Sequence, residues 1–187
     1  MFTPIHTPRL TLRPATMEDA DFIQAHFSLP EVLEFLPPEV PNPYPADGAN
    51  FYLSQIMLPA MEDGTGVEYI IETKDAGTPV GTVMFEAKNE DRTVWRIGFW
   101  LAPSHQGKGY VTEASQAAMH WLFNSTPATE VVTGNAATNT ASARIQQKNG
   151  FLPKGTVVQM PPFRNGDTVA EQWSLPKDHF LALHAGK

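Results

Sequence analysis

The sequence predicts a mixed α/β fold in one domain spanning residues 1–187: a single, mostly antiparallel sheet of six to seven strands flanked by about four helices. Three observations carry that expectation. Short runs with strand-like patterning recur from residue 7 to residue 175, several bounded by turn residues. Between them lie segments whose apolar residues fall at helical spacing. With 42% hydrophobic residues over 187 positions, the chain is long enough to bury one full core.

Residues 7–13 alternate, with Leu10 and Leu12 on one face, as in a half-buried strand. Thr16 then reads as an N-cap with acids behind it, and Ala20, Ile23 and Phe27 follow at helical spacing. The window Leu36–Ala46 holds five prolines, which exclude a regular helix and favour a stiff extended surface loop. A second helix is expected over 47–58, with Phe51 and Ile56 among its apolar members and Pro59 ending or kinking it. Strands at 67–73, 80–87 and 93–101 make an antiparallel meander. A third helix covers 110–123, with Ala114, Ala117, Ala118, Trp121 and Leu122 as its stripe. A strand at 130–134 precedes a fourth helix from Asn139 to Gly150, a C′ glycine followed by apolar Phe151. Strands 156–160 and 168–175 flank Asn165-Gly166 as a terminal hairpin.

Composition narrows the function. Net charge is −7, which opposes general nucleic-acid binding because that needs a basic field. No apolar run approaches the ~20 residues that span a bilayer, and the first residues lack a signal-peptide pattern, so a cytoplasmic location without membrane attachment is expected. There are no cysteines, hence no disulfide framework and no thiol nucleophile. His6, His26, His105, His120, His179 and His184 show no metal-ligand spacing, so no metal is expected; His105, beside Gln106, is the one to test.

The most informative stretch is 100–114, where a strand-like run meets Gly107 and Gly109 and then the third helix. Glycines permit a tight turn and close approach, and the first helical turn presents N–H groups with no internal acceptor. Together these favour an anion, most naturally phosphate. Gly-x-Gly alone reads first as an ordinary strand–turn–helix corner. A P-loop would need Gly at 102 and Ser or Thr at 109, where Ala102 and Gly109 stand; a dinucleotide fingerprint would need Gly at 112, which is Thr112.

What remains, Gln106-x-x-Gly109-x-Val111, resembles the Q/R-x-x-G-x-G/A loop of the GNAT superfamily of N-acetyltransferases, with Val111 departing from the small residue usual there. Thr7–Pro14 with Glu18-Asp-Ala20, Ile97–Leu101 with Gln106–Ala114, and Asn139–Phe151 are similar, in that order, to the branch acetylating ribosomal-protein N-termini and related amines. The resemblance implies a sheet splayed between its fourth and fifth strands, acetyl-CoA as cosubstrate, and an amine acceptor, either a protein N-terminus or a small molecule. It implies cofactor contact at Trp100, Leu101 (through its N–H), Gln106, Gly107, Lys108, Gly109, Tyr110, Val111, Thr112, Asn139 and Ser142. The Pro-rich loop and the hairpin turn are implied as walls of the acceptor pocket. Oligomeric state stays open.

Catalysis is the less complete part of the pattern. Asn139 and Ser142 suit helix capping on local grounds, while the resemblance places them against pantetheine and the sulfur. The position where many relatives carry an acidic Tyr is Gln146, which leaves Ser142, with Asn139, as the catalytic expectation. Where much of the branch has a basic Glu, this chain has Arg96, which stays protonated. At pH 7 roughly a seventh of an α-amine is neutral, against about one lysine side chain in a few thousand. A site without a strong base therefore favours an α-amine or another low-pKa acceptor. Arg96, Glu86 and Tyr44 are the candidate substrate contacts; Glu86, Glu31, Glu34 and Glu113 are substitute bases or simply solvated carboxylates. The alternative is a CoA-binding sensor or scaffold with degenerate catalysis, motivated by Arg96, Gln146 and Val111.

Overall fold

The computed structural model describes residues 2–36 and 39–185; Pro37 and Pro38 of the Pro-rich window lie outside the described residues. The strands are β1 (Ile5–His6), β2 (Leu10–Pro14), β3 (Gly66–Thr73), β4 (Pro79–Ala87), β5 (Val94–Leu101), β6 (Glu130–Ala136), β7 (Leu152–Val158) and β8 (Val169–Pro176). The helices are α1 (Ala20–Phe27), α2 (Pro30–Leu33), α3 (Gly48–Tyr52), α4 (Leu58–Asp63), α5 (Tyr110–Ser125), α6 (Thr140–Asn149) and α7 (Lys177–His184). One sheet runs β1-β2-β3-β4-β5-β6-β8-β7, eight strands rather than the expected six to seven. The strand not anticipated is β1, two residues long and pairing with Leu12 and Thr11, too short to show alternation. All pairings are antiparallel except β5 with β6.

Both faces of the sheet are covered, and β3 accordingly is buried along nearly its whole length. On one face Val67, Tyr69 and Ile71 of β3 and Val83 and Phe85 of β4 join Ala114, Ala118 and Leu122 of α5 in the main core. The opposite face packs Ile70 with Ala20 and Ile23 of α1 and with Ala49 and Leu53, Trp100 lying alongside. The second helix differs from expectation. It continues past Pro59, because a widened turn at Leu53–Met57 immediately precedes α4 and absorbs the ring. Its inward members are Ala49, Leu53 and Met57, whereas Phe51 and Ile56 are exposed. The stripe of α5 is likewise rotated: Val111, Ser115 and Met119 are buried, while Ala117 and Trp121 are half-buried. Gly150 ends α6 in the left-handed conformation (φ 86°), and buried Phe151 donates to the Gln146 carbonyl, as the C′ reading requires. Short α2 and C-terminal α7 carried no distinct periodic signal.

Candidate active site at the fork between β5 and β6

The parallel pair β5–β6 is joined only at Val94↔Glu130, Trp95↔Val131 and Arg96↔Val132, after which the strands diverge. Buried Thr133 stands in the fork, its hydroxyl donating to the Ile97 carbonyl at 3.2 Å. That bond fixes which way β5 faces. Backbone groups alternate sides along a strand, so Ile97, Phe99 and Leu101 direct theirs toward β6. Ala102 faces the other way and donates to Val80 of β4. The N–H groups of Phe99 and Leu101 therefore open into a gap that β6 has left. Leu101 itself is 6% exposed, so its side chain is core while its main chain is available.

Beyond the fork, Gly107 (φ 74°) and Gly109 (φ 78°) take left-handed conformations that disfavour any side chain, and α5 begins at once. The first helical bond of this corner is Glu113 N–H to the Gly109 carbonyl. Among the described residues, the N–H groups of residues 107–112 have no hydrogen-bond acceptor. Gln106 is exposed and donates Nε2 to the Leu101 carbonyl at 3.2 Å, joining the loop to the end of β5. Val111 is buried in the main core, so its side chain leaves the loop clear; its departure from the usual small residue is a packing choice. Lys108 is exposed.

A strap from the N-terminal end holds this corner. Glu113 Oε1 accepts from the Thr7 hydroxyl (2.6 Å) and the Arg9 N–H (2.9 Å), and Oε2 accepts from Arg9 Nε (2.6 Å). Arg9 also donates to the Lys108 carbonyl (2.9 Å) and lies 5.0 Å from the Tyr110 ring centroid. Burial raises the Glu113 carboxyl, but the bonds from Thr7 and Arg9 outweigh it and hold the group below the usual range. Glu113 is thus an anchor, and the base reading for it falls.

On the other side of the fork, Asn139 caps α6, its Oδ1 accepting from Ser142 N–H at 3.1 Å. Gln146, 1% exposed, donates Nε2 toward Ser142 Oγ at 3.4 Å, and its Oε1 has no partner. Arg96 and Glu86 are cross-strand neighbours, Arg96 Nη2 and Nε donating to Glu86 Oε2 at 2.6 and 3.0 Å, and both side chains are open to solvent. His105 Nδ1 lies 3.0 Å from the Ser104 hydroxyl of its own neighbour.

A cleft of about 760 Å³ lies between α2, the Pro-rich loop and the β7–β8 connection. Exposed Glu31 and Glu34 line it with Tyr44, Asn42, Arg164 and Asn165. Phe27 links Tyr44 to Trp100 edge-on, at centroid distances of 5.3 and 5.6 Å, tying one wall to the end of β5. Asn165 Nδ2 donates to Thr138 Oγ1 (2.9 Å), tying the other wall to the β6–α6 loop. Arg164 Nη2 closes the rim on the carbonyls of Val40 (2.7 Å) and Pro41 (2.5 Å).

Buried Glu68 escaped sequence reasoning altogether. In Val67–Thr73 it reads as an outward member of an alternating strand, yet it is 2% exposed because α3 and the turn after it cover that face. Thr133 and Arg164 were missed too, since a hydroxyl in a strand and a cation in a loop carry no sequence signal without the topology.

The acetyltransferase (GNAT) domain family matches residues 9–152. The uncharacterized N-acetyltransferase YoaA of Bacillus subtilis (strain 168) is 28% identical over 166 residues, 89% of this chain and 92% of YoaA. A ribosomal L7/L12 α-N-protein acetyltransferase, RimL, solved in complex with coenzyme A, superposes with a TM-score of 0.82 at 19% identity, covering 94% of this chain and 99% of RimL. Spermidine N-acetyltransferase from Vibrio cholerae, solved with CoA and spermine, does so at 0.80 and 18% identity, again covering 94% and 99%.

Proposed function

Because the chain belongs to the acetyltransferase (GNAT) domain family, we propose that it is an acetyl-CoA-dependent N-acetyltransferase whose acceptor is a primary amine, either a protein N-terminal α-amine or a small low-pKa amine. The observation that carries this is the open main chain of the fork. A run of acceptor-less N–H groups at 107–112 suits a diphosphate, and Leu101 N–H faces the gap one strand-end away. Gln106 and Lys108 flank the diphosphate loop, Tyr110 to Thr112 carry its last donors, and Trp100 bounds the pocket on the acceptor side. Asn139 and Ser142 face the arm from α6. RimL and the spermidine enzyme, both solved with CoA, supply the ligand chemistry by analogy.

The reaction is direct acetyl transfer. The amine nitrogen forms a bond to the thioester carbonyl carbon while Leu101 N–H stabilises the oxygen; the C–S bond then breaks, and the proton shed by the nitrogen reaches the thiolate through the Ser142 hydroxyl, which gives one proton and takes the other, leaving the neutral amide and the CoA thiol. Asn139 fixes the Ser142 backbone and Gln146 lies against its hydroxyl. The acceptor amine is assigned to the cleft beside α2, whose Glu31 and Glu34 suit an ammonium and whose Tyr44 wall is tied through Phe27 to Trp100. The reading treats residues 1–187 as one such domain, since one sheet takes strands from residue 5 to residue 176.

The test is release of free CoA thiol from acetyl-CoA with a panel of N-terminal peptides, lysine side-chain peptides, polyamines and small amines. Release is expected with α-amines, at a higher rate than with lysine side chains at pH 7. A faster lysine reaction would overturn the acceptor class. Thermal stabilisation by acetyl-CoA with no release on any amine would leave a binding module instead.

A further inference from the structure

Acetyl transfer requires a proton to leave the ammonium, and Arg96 occupies the strand position from which a carboxylate would take it. The sheet supplies another carboxylate on the same face. Glu68 of β3 is in register with Met84 of β4, and Met84 with Gly98 of β5. Cross-strand partners share a face and residues two apart share it again, so Glu68, Thr82, Gly98, Arg96 and Trp100 all look toward α1 and α3. Glu68 is 2% exposed, and its Oε2 has no hydrogen-bond partner, nor has the neighbouring Thr82 hydroxyl. Half-buried Tyr52, at the end of α3, packs on this same face against the cluster around Ile70, with Trp100 alongside, and both the Glu68 carboxyl and the exposed Arg96 guanidinium act on its hydroxyl.

We propose that Glu68 and Tyr52 form the proton-accepting relay of the acceptor site, with Tyr52 meeting the amine and Glu68 acting behind it as a positioning group and final proton acceptor. The proposal rests on the acetyl-transfer reading and adds the base that reading lacks. In the step, the ammonium proton passes to the Tyr52 oxygen as the Tyr52 hydroxyl proton passes to the Glu68 carboxylate. The amine is left neutral, Tyr52 is regenerated, and Glu68 ends as the acid; solvent removes its proton after product leaves.

The surroundings fit that duty. Burial is the largest influence on Glu68 and raises its carboxyl; Tyr52 and Thr82 act the other way, and the Asp19 charge adds to the rise. A carboxyl lifted toward neutrality is a better base at pH 7 than an ordinary one. Tyr52 is itself held well above its ordinary value by burial and then by the Glu68 charge, with Arg96 opposing, so it conducts a proton without becoming a tyrosinate. The other charged groups around this pocket, Arg13 and Glu72, are paired with Asp19 and with each other, and Tyr44 feels the Glu68 charge from the cleft wall.

The experiment first measures thiol release by the wild-type protein across the amine panel, then compares E68Q and Y52F over pH 6–9 with the best α-amine peptide. Each variant is expected to lose about 100-fold in kcat at pH 7. The deficit is expected to shrink to within about 10-fold at pH 9, where the amine sheds its own proton. The double variant is expected to match either single one, as for groups acting as a unit. Stabilisation by acetyl-CoA is expected to be unchanged, which separates the relay from a folding or cofactor role. Wild-type rates and pH dependence in either variant would overturn the relay while leaving the acetyltransferase reading intact. A pH-independent loss, or a loss of acetyl-CoA stabilisation, would mark both residues as structural and overturn it too. Absence of release by the wild-type protein on every amine would instead overturn the parent reading, and the relay with it, before any variant was compared.

Discussion

Asp19 is a residue whose charge is held by geometry. It is 3% exposed, takes both Arg13 terminal nitrogens at 2.9 and 2.6 Å, and accepts Thr16 N–H at 2.8 Å, forming a capping box with Thr16, the expected N-cap. Burial pushes its carboxyl up, but Arg13 and Thr16 together bring it below the ordinary aspartate value. A depressed carboxyl contributes stability in full above its unfolded pKa, about 3.9, and loses it as pH falls through the lower folded value. Asp19→Asn is therefore expected to flatten the decline in stability below about pH 4 that the wild type shows. Asp19→Ala at pH 7 is expected to lose about 2–3 kcal/mol in urea unfolding. That is less than the ~3–5 kcal/mol of a wholly buried pair, because Arg13 is partly solvated and keeps Glu72 at 2.8 Å. An unchanged acid limb in the Asn variant would refute the assignment.

At the level of elements, the corner between β5 and α5 was the part of the site most legible in the sequence. Gly107 and Gly109 are needed because the chain turns through positive φ there, a demand that leaves glycine as its trace. Gly109→Ala is expected to strain the turn by roughly 1–2 kcal/mol and to reduce acetyl-CoA stabilisation at least several-fold in apparent Kd. The new Cβ would sit 3.5 Å from Arg9 Nη2, an ordinary contact, so the effect reads conformation and not a clash. Equal affinity in the variant would dissociate the loop from the cofactor. The Val111 departure was legible as a difference but not as its cause, since only the fold shows that side chain entering the core. The second helix misled for a related reason. Phe51 and Ile56 are apolar yet exposed, because the face that packs inward is the four-apart row Ala49, Leu53 and Met57, and both residues lie off that row.

For the molecule as a whole, the antiparallel meander and the terminal hairpin were readable from local pattern, whereas everything that depends on a distant partner was not. Glu68 alternates outward on paper, and a second helical layer turns outward into inward. The rim over the cleft is another long-range product: Arg164 reaches back to the Val40 and Pro41 carbonyls, and Asn165 N–H donates to the Glu34 carbonyl at 3.2 Å. These bonds join the last hairpin to the Pro-rich loop and set the width of the cleft. Arg164→Ala is expected to raise the acceptor KM about 10-fold, through loss of roughly 1.5–3 kcal/mol of charged hydrogen bonding at the rim, with acetyl-CoA affinity unchanged. Steady-state kinetics with each substrate varied in turn would check this, and a change confined to acetyl-CoA would refute it.

The strap from Thr7 and Arg9 to Glu113 crosses 104 residues between Arg9 and Glu113. A synthetic fragment holding only the two glycines and the start of α5 would own every peptide N–H of the loop and still lack the hand that keeps them pointing one way. Ligand capture here belongs to the finished protein, and trimming the chain past residue 9 should disarm a loop more than ninety positions downstream without touching one of its atoms.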